Sequence, residues 1–301
     1  MNYLAYHEGE REVQARVGVA SDGLAAEEMY HPAMGLGVQR FLSAQQVAVL
    51  SSMDADGRVW ASLRSGAAGF IRAVDEREIE IAGYSHPNDP VLQNLKQASA
   101  TGMLVINLEG RQRLRLNGTG QLEDGGTIRL AVNQVYGNCQ QYIQAREVTS
   151  EERFAAVQTH ASRAEKLNEK SRAMVERADT FFIATGHPES GMDASHRGGK
   201  PGFVRVEDEN HLIFPDYPGN NMFNSLGNIS VYPKAGLLFP DFDSGIALQL
   251  SGTANILWDD QRATEFPQAR RLVAFAVERA IELQGATRLG FEFRGYSPHL
   301  R

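Results

Sequence analysis

The chain of 301 residues contains a single cysteine, Cys139, which rules out an intrachain disulfide framework and suits a reducing compartment. Long apolar runs are missing as well. No stretch approaches the roughly 20 consecutive apolar residues that a membrane-crossing helix needs. The first residues, MNYLAYHEGEREVQAR, lack the basic segment followed by an apolar core that marks a secretory signal. A cytoplasmic location without membrane contact is the expectation. Positive charge is in deficit: 30 Lys and Arg stand against 37 Asp and Glu, a formal net charge of −7. No basic cluster offsets it, so a nucleic-acid partner is not expected. The eight histidines show no close metal-ligand spacing such as HExxH, and no metal centre is expected.

What the chain does have is a repeat. The blocks WASLRSGAAGFIRAV (60–74), IEIAGY (79–84), NLKQASATGMLVIN (94–107) and RLNGTGQL (115–122) recur in the same order about 133 residues later. Their counterparts are MDASHRGGKPGFVRV (192–206), HLIFPDY (211–217), SLGNISVYPKAGLLF (225–239) and LQLSGTANI (248–256). Ser62 answers Ser195, Arg64 answers Arg197, and Gly118-Thr119 answers Gly252-Thr253. So long a period means two similar domains rather than a solenoid, and 42% apolar content is enough for two cores.

Short alternating apolar runs separated by turn signals read as strands, with Asp56-Gly57 supplying a tight hairpin. Pro90 to Ala98 and Asn220 to Ile229 carry apolar residues at the spacing of short helices. The Ala-, Glu-, Lys- and Arg-rich stretch 151–178 predicts a helix linking the domains. Arg271 to Leu283 fits strand or helix by period, and strand is preferred.

The order of these blocks resembles the pyridoxamine 5′-phosphate oxidase-related family of FMN-binding split barrels. The likeness is greatest to its long tandem members, with SHRGGxPGFVRV (195–206), FPDYxGNxxFNSLGNI (214–229), GLLF (236–239) and GNCxxYIQxR (137–146). The resemblance implies a mainly β fold with helices (α+β): two tandem antiparallel Greek-key split β-barrels forming a pseudo-two-fold pair. The expected layout is an N-terminal arm (1–40), a first split-barrel domain with a degenerate site (41–150), the linking helix (151–178) and a second, flavin-binding domain (179–301).

A flavin nucleotide needs cations and helix N-terminal amides for its phosphate, and a strand edge for its ring. The expected cations are Arg197, Lys200 and Arg205. The resemblance implies that the strand Pro201, Gly202, Phe203, Val204 passes along the isoalloxazine ring. It also places Pro215 and Asp216 where ribityl and phosphate contacts leave the preceding strand. Asn220 and Asn221 open the helix aimed at the phosphate, with Asn220 a good N-cap. Split-barrel oxidases often carry an Arg-Lys pair where this chain has Asn221 and Met222.

In the first domain, Ala67 or Ala68 answers Lys200, and Asp89 adds like charge at the helix start, so weak or no flavin binding is expected there. Family enzymes form two-fold dimers with the cofactor between subunits. Here the first domain would supply the opposing wall through GNCQQYIQAR, with Tyr136, Asn138 and Gln140 as candidates. Cys139 reads as an inert buried thiol, and His196 as a flavin-hairpin or exposed residue.

The implied function is an FMN-dependent oxidoreductase acting on an unknown small molecule, with a donor such as a nicotinamide. No catalytic side chain is identified, because the cofactor carries the hydride chemistry. The alternatives are a non-catalytic flavin carrier or sensor, and a split barrel for haem, with His299 as a thin pointer, or for a deazaflavin. FAD is a further candidate, and a homodimer is an open possibility.

Overall fold

The computed structural model describes residues 5–19 and 29–300. Helices α1 (Glu8–Arg16) and α2 (Leu36–Ser43) precede the first sheet. That sheet is built from β1 (Val47–Met53), β2 (Val59–Ser65), β3 (Ile71–Ala73), β4 (Glu78–Ile81), β5 (Ser99–Asn107), β6 (Gln112–Leu122) and β7 (Ile128–Gly137), with helix α3 (Pro90–Asn94) between β4 and β5. After β8 (Ala145–Ser150), β9 (His160–Ala164) and α4 (Glu169–Arg177) the pattern starts again. It runs through β10 (Thr180–His187), β11 (Gly191–Gly198), β12 (Arg205–Val206), β13 (His211–Asp216), α5 (Asn224–Val231), β14 (Lys234–Asp241), β15 (Ile246–Leu257) and β16 (Arg271–Gln284). The last strand, β17 (Gly290–Gly295), pairs with β8 and so joins the end of one half to the end of the other.

The duplication is explicit in the topology. The first sheet runs β2-β1-β5-β6-β7-β4-β3 and the second β11-β10-β14-β15-β16-β13-β12, the same path strand for strand, with β9 added beside β16. Every pairing is antiparallel and neither sheet closes into a full barrel. The structure therefore has the expected class: a mainly β chain of two tandem split barrels.

The repeated Gly-Thr pairs have a physical cause. Both sit at a register shift, between Asn117 and Gly118 on β6 and between Ser251 and Gly252 on β15. A Cβ at Gly118 would lie 1.9 Å from the Ala131 carbonyl oxygen, and one at Gly252 1.9 Å from that of Ala276, so only glycine fits these bulges. A second pair joins the halves. A Cβ on Gly102 of β5 would meet the Asp193 Cα at 2.6 Å, and one on Gly236 of β14 would meet the Val59 carbonyl oxygen at 2.6 Å. Each half thus presses a bare backbone against the other's hairpin. The core sealed between them draws Val49, Trp60 and Leu104 from one half and Phe182, Met192 and Leu238 from the other, all buried.

Three local expectations are corrected. The linking helix across 151–178 is confined to α4; upstream, His160–Ala164 is strand β9, paired with β16, because that open sheet edge offers the segment backbone partners. The strand expected at Pro201–Val204 is a turn, and only Arg205–Val206 pairs, with β13. Gly202 holds a left-handed φ of 89° there and Pro201 has no amide to donate. Asn220 does not cap the helix: α5 begins at Asn224, its N-cap position is Phe223, and the Asn220 carbonyl oxygen of the side chain instead accepts from the Met222 amide (3.2 Å). Arg271–Gln284 is a strand, as preferred.

Candidate functional site

A cleft of about 90 Å³, open to solvent, lies on the seam between the halves. The second half contributes the end of β11, the segment after β13 and the first turn of α5; the first half contributes β6 and the loop 138–142. The seam is tight: a Cβ at Gly198 would lie 2.1 Å from the Tyr142 carbonyl oxygen. Gln144 locks it, its amide nitrogen donating to the carbonyls of Asp179 (3.3 Å) and Gly199 (3.2 Å) while its oxygen accepts from the Ser297 amide (2.8 Å). The rings of Tyr142 and Tyr217 stack across it, centroids 5.0 Å apart.

The cleft is cationic. Arg113 and Arg115 occupy alternate positions of β6 and so share a face, and Arg197 meets them from β11. Arg115 is neutralised: Nη1 donates to Asp193 Oδ2 (2.8 Å) and Nη2 to Ser195 Oγ (2.6 Å). Although burial opposes its charge, Asp193 and Tyr136 hold its pKa above the ordinary arginine value. Arg113 and Arg197 have no carboxylate within ion-pair distance among the described residues. Burial, and then the neighbouring guanidiniums of Arg115 and Arg197, pushes Arg113 down to about 9; burial lowers Arg197 as well. Asp216 faces the same space, its pKa raised by burial, and pairs with Arg271 at 3.4 Å. Arg113 Nη1 donates to His196 Nδ1 (3.0 Å), which assigns the proton of that imidazole to Nε2. Burial and the arginines hold His196 neutral, far below its ordinary value. Its Nε2, the Nε of Arg113 and Arg115, and Ser225 Oγ are buried without a partner.

Helix α5 directs its N-terminus at this cleft. Its N-cap, Phe223, is left-handed (φ 59°) and no side chain bonds its first turn, so the unpaired amides of that turn are left for another acceptor. The first half closes the matching place. There Asp89 caps α3, accepting from the Val91 amide (3.0 Å) and Ser62 Oγ (2.5 Å) through Oδ1 and from Gln249 Nε2 (3.0 Å) through Oδ2. Burial raises the Asp89 carboxyl to about 6. Gln249 faces Leu238 as Arg115 faces Leu104, so a neutral amide stands where the second site has a cation. Arg64, the counterpart of Arg197, donates to the Ala82 carbonyl (2.6 Å) and Ser85 Oγ (3.1 Å).

Of the residues singled out from sequence, Arg197, Phe203, Pro215, Asp216, Asn220 and Asn221 line the cleft. Lys200, Pro201, Gly202, Val204 and Arg205 do not: Lys200 is exposed in the turn, and Arg205 pairs with Glu265 (2.7 Å) over the Phe266 ring. From the first half, Asn138 reaches the cleft, joined by Cys139, Gln141 and Tyr142. Tyr136 lies behind it, its hydroxyl donating to Asp193 Oδ1 (2.8 Å), and Gln140 stays outside. Cys139 is half-exposed rather than buried, and His196 is buried rather than exposed. Sequence reading missed Arg113 and Arg115. Their signal, RQRLRL, is the alternation of a strand with one polar face, which by itself reads as a solvated edge.

Elsewhere His7, Glu8 and His187 approach one another closely enough to suggest a metal. Their hydrogen bonds oppose it. Both Nδ1 atoms accept backbone amides, of Gly9 for His7 and of Glu189 and Ser190 for His187, so Nε2 carries the proton and is directed at Asn228 or Glu8. Neither ring offers the cluster a free lone pair.

A duplicated split barrel with an arginine-lined cleft on its seam defines the class. Residues 167–292 match the family model described as pyridoxamine 5′-phosphate oxidase. Similar solved structures include HupZ of Group A Streptococcus (15% identity, covering 40% of this chain and 97% of that one, TM-score 0.33). Another is a Clostridium acetobutylicum protein related to general stress protein 26 of B. subtilis, of the pyridoxinephosphate oxidase family (15%, 41%, 92%, 0.30). A third is an FAD-binding protein from Mesorhizobium loti (10%, 42%, 97%, 0.30). No curated protein matches the chain.

Proposed function

We propose that the chain binds one phosphate-bearing flavin, FMN, in the seam cleft and uses it as a flavin-dependent oxidoreductase on a small molecule. The observation that carries this reading is a pair of partly buried arginines, Arg113 and Arg197, without acidic partners, facing a helix N-terminus that no side chain caps. Partly desolvated cations without a counter-charge are costly, and an anionic ligand relieves that cost. The residues fit the group. Arg113, Arg197 and the α5 amides suit the phosphate, the orphaned Ser225 Oγ suits an acceptor oxygen, and Tyr142 and Tyr217 offer aromatic faces to a flat ring. Bound there, the flavin supplies hydride and electron transfer. The chain's own part is to bind, orient and desolvate it, and His196, held neutral by burial and the neighbouring arginines, presents one Nε2–H donor. Both halves of the wall come from one chain.

The absorption spectrum of the purified protein after FMN addition tests the reading. Bands near about 370 and 450 nm that sharpen on binding, with bleaching by a reduced nicotinamide, support an oxidoreductase. Binding without bleaching by either nicotinamide supports a carrier. No binding at all removes the proposal.

A further inference from the structure

The N-terminal arm precedes the first domain in sequence yet docks on the second. Val13 of α1 joins that domain's core, and the Arg16 guanidinium lies 4.2 Å over the Trp258 ring. Helices α1 and α5 touch through glycines: a Cβ on Gly9 would lie 2.2 Å from the Gly227 carbonyl oxygen, and one on Gly227 2.6 Å from the Glu10 nitrogen. This approach sets two buried polar side chains of α1 onto the segment that leads into α5. Gln14 Nε2 donates to the carbonyls of Asn221 (3.4 Å) and Met222 (3.3 Å). Glu10 Oε1 accepts from Asn224 Nδ2 (2.5 Å) and the Tyr30 hydroxyl (3.2 Å), and Asn224 Oδ1 accepts from Arg115 Nη1 (3.4 Å). The segment requires outside support, since Asn221 (φ 60°) and Phe223 (φ 59°) are both left-handed without being glycine, and Phe223 provides no cap.

We propose that the arm is part of the ligand site, with Glu10 and Gln14 as positioning residues that hold 221–224 and the first turn of α5 in the geometry that receives an anionic group. The inference rests on the reading of a phosphate-bearing flavin at α5. Neither residue lines the cleft; each acts through backbone or side-chain groups that do. Because their grip is on the phosphate end, their loss falls on ligands that carry a phosphate, whereas general loosening of the domain weakens every flavin alike.

The test compares FMN with riboflavin on the full chain for wild type, Glu10→Ala, Glu10→Gln, Gln14→Ala and, as a variant that loosens the arm without touching the segment, Arg16→Ala. Glu10→Ala and Gln14→Ala are expected to weaken FMN by about tenfold or more, the loss of a hydrogen bond to a charged or buried group. Riboflavin changes by less than about threefold. Glu10→Gln recovers most of the FMN affinity, since its amide oxygen still accepts from Asn224, and Arg16→Ala leaves the FMN-to-riboflavin ratio unchanged. Equal losses for both ligands, or undiminished FMN binding, overturn the proposal. If wild type binds FMN no better than riboflavin, the phosphate reading itself falls, and inorganic phosphate becomes the probe. Protection of the Asn224–Leu226 amides from hydrogen exchange by phosphate in wild type, lost in Glu10→Ala and Gln14→Ala, upholds the arm's role; no protection in wild type overturns it.

Discussion

At the scale of single residues, the proposed function rests on charges without counter-charges. Arg113 and Arg197 lack acidic partners among the described residues, whereas Arg205 already has Glu265. Replacing Arg113 or Arg197 by alanine is expected to weaken FMN by about tenfold or more, and replacing Arg205 or Lys200 to leave it unchanged, as read by fluorescence titration. A second expectation concerns Glu10, whose carboxyl is raised to about 7 by burial. A folded value above the unfolded one, about 4.3, favours the neutral acid. The stability it contributes is therefore full below about pH 4 and is lost as pH rises through 7. Relative to Glu10→Gln, wild type should lose about 2 kcal/mol between pH 5 and pH 8 in urea unfolding. A gap between the two that stays constant over that range would show that Glu10 is not strained by its charge. At this scale the sequence was informative for the second half and for the segment 137–146, whose Asn138 reaches the cleft. Arg197, Pro215 and Asp216 are neighbours on consecutive blocks of the second domain, so their spacing carries the site. Arg113 and Arg115 arrive from the other half, and no local pattern states which face of β6 meets β11.

Among the elements, the glycines that touch backbone set what can change. Gly236 faces Val59 and Trp60 of the other half across a gap too small for a Cβ. Gly236→Val should destabilise the chain by about 1–3 kcal/mol or more, the usual cost of overpacking, measured as a lowered chemical midpoint. Val74, which is exposed on the first half, should tolerate alanine within about 0.5 kcal/mol. The repeated glycines made the fold legible, because bulge and contact positions admit no other residue and so survive as a readable rhythm. The 151–178 stretch was misread for the opposite reason. Its composition favours helix, but the free edge of β16 supplies hydrogen bonds that outweigh propensity over His160–Ala164. Likewise Asn220 has the chemistry of an N-cap, yet the two left-handed residues Asn221 and Phe223 delay the helix to Asn224.

For the whole molecule, the two seams differ although the sheets match. One is open and cationic; the other is shut by Asp89, held by Ser62 and Gln249. A titration should therefore end at one flavin per chain, and Asp89→Ala should not add a second, since Gln249 still stands in place of a cation; two equivalents per chain would contradict the asymmetry. No helix among the described residues is long and apolar enough to cross a membrane. The covalent joining of the halves has a further consequence. In a pair of separate identical subunits, every substitution is made twice, once in each related site, so a change that ruins one ruins both. Linked in one polypeptide, the halves are released from that identity: one can trade its binding role for rigidity while the other drifts toward a new ligand, and the division of labour is inherited as a single gene.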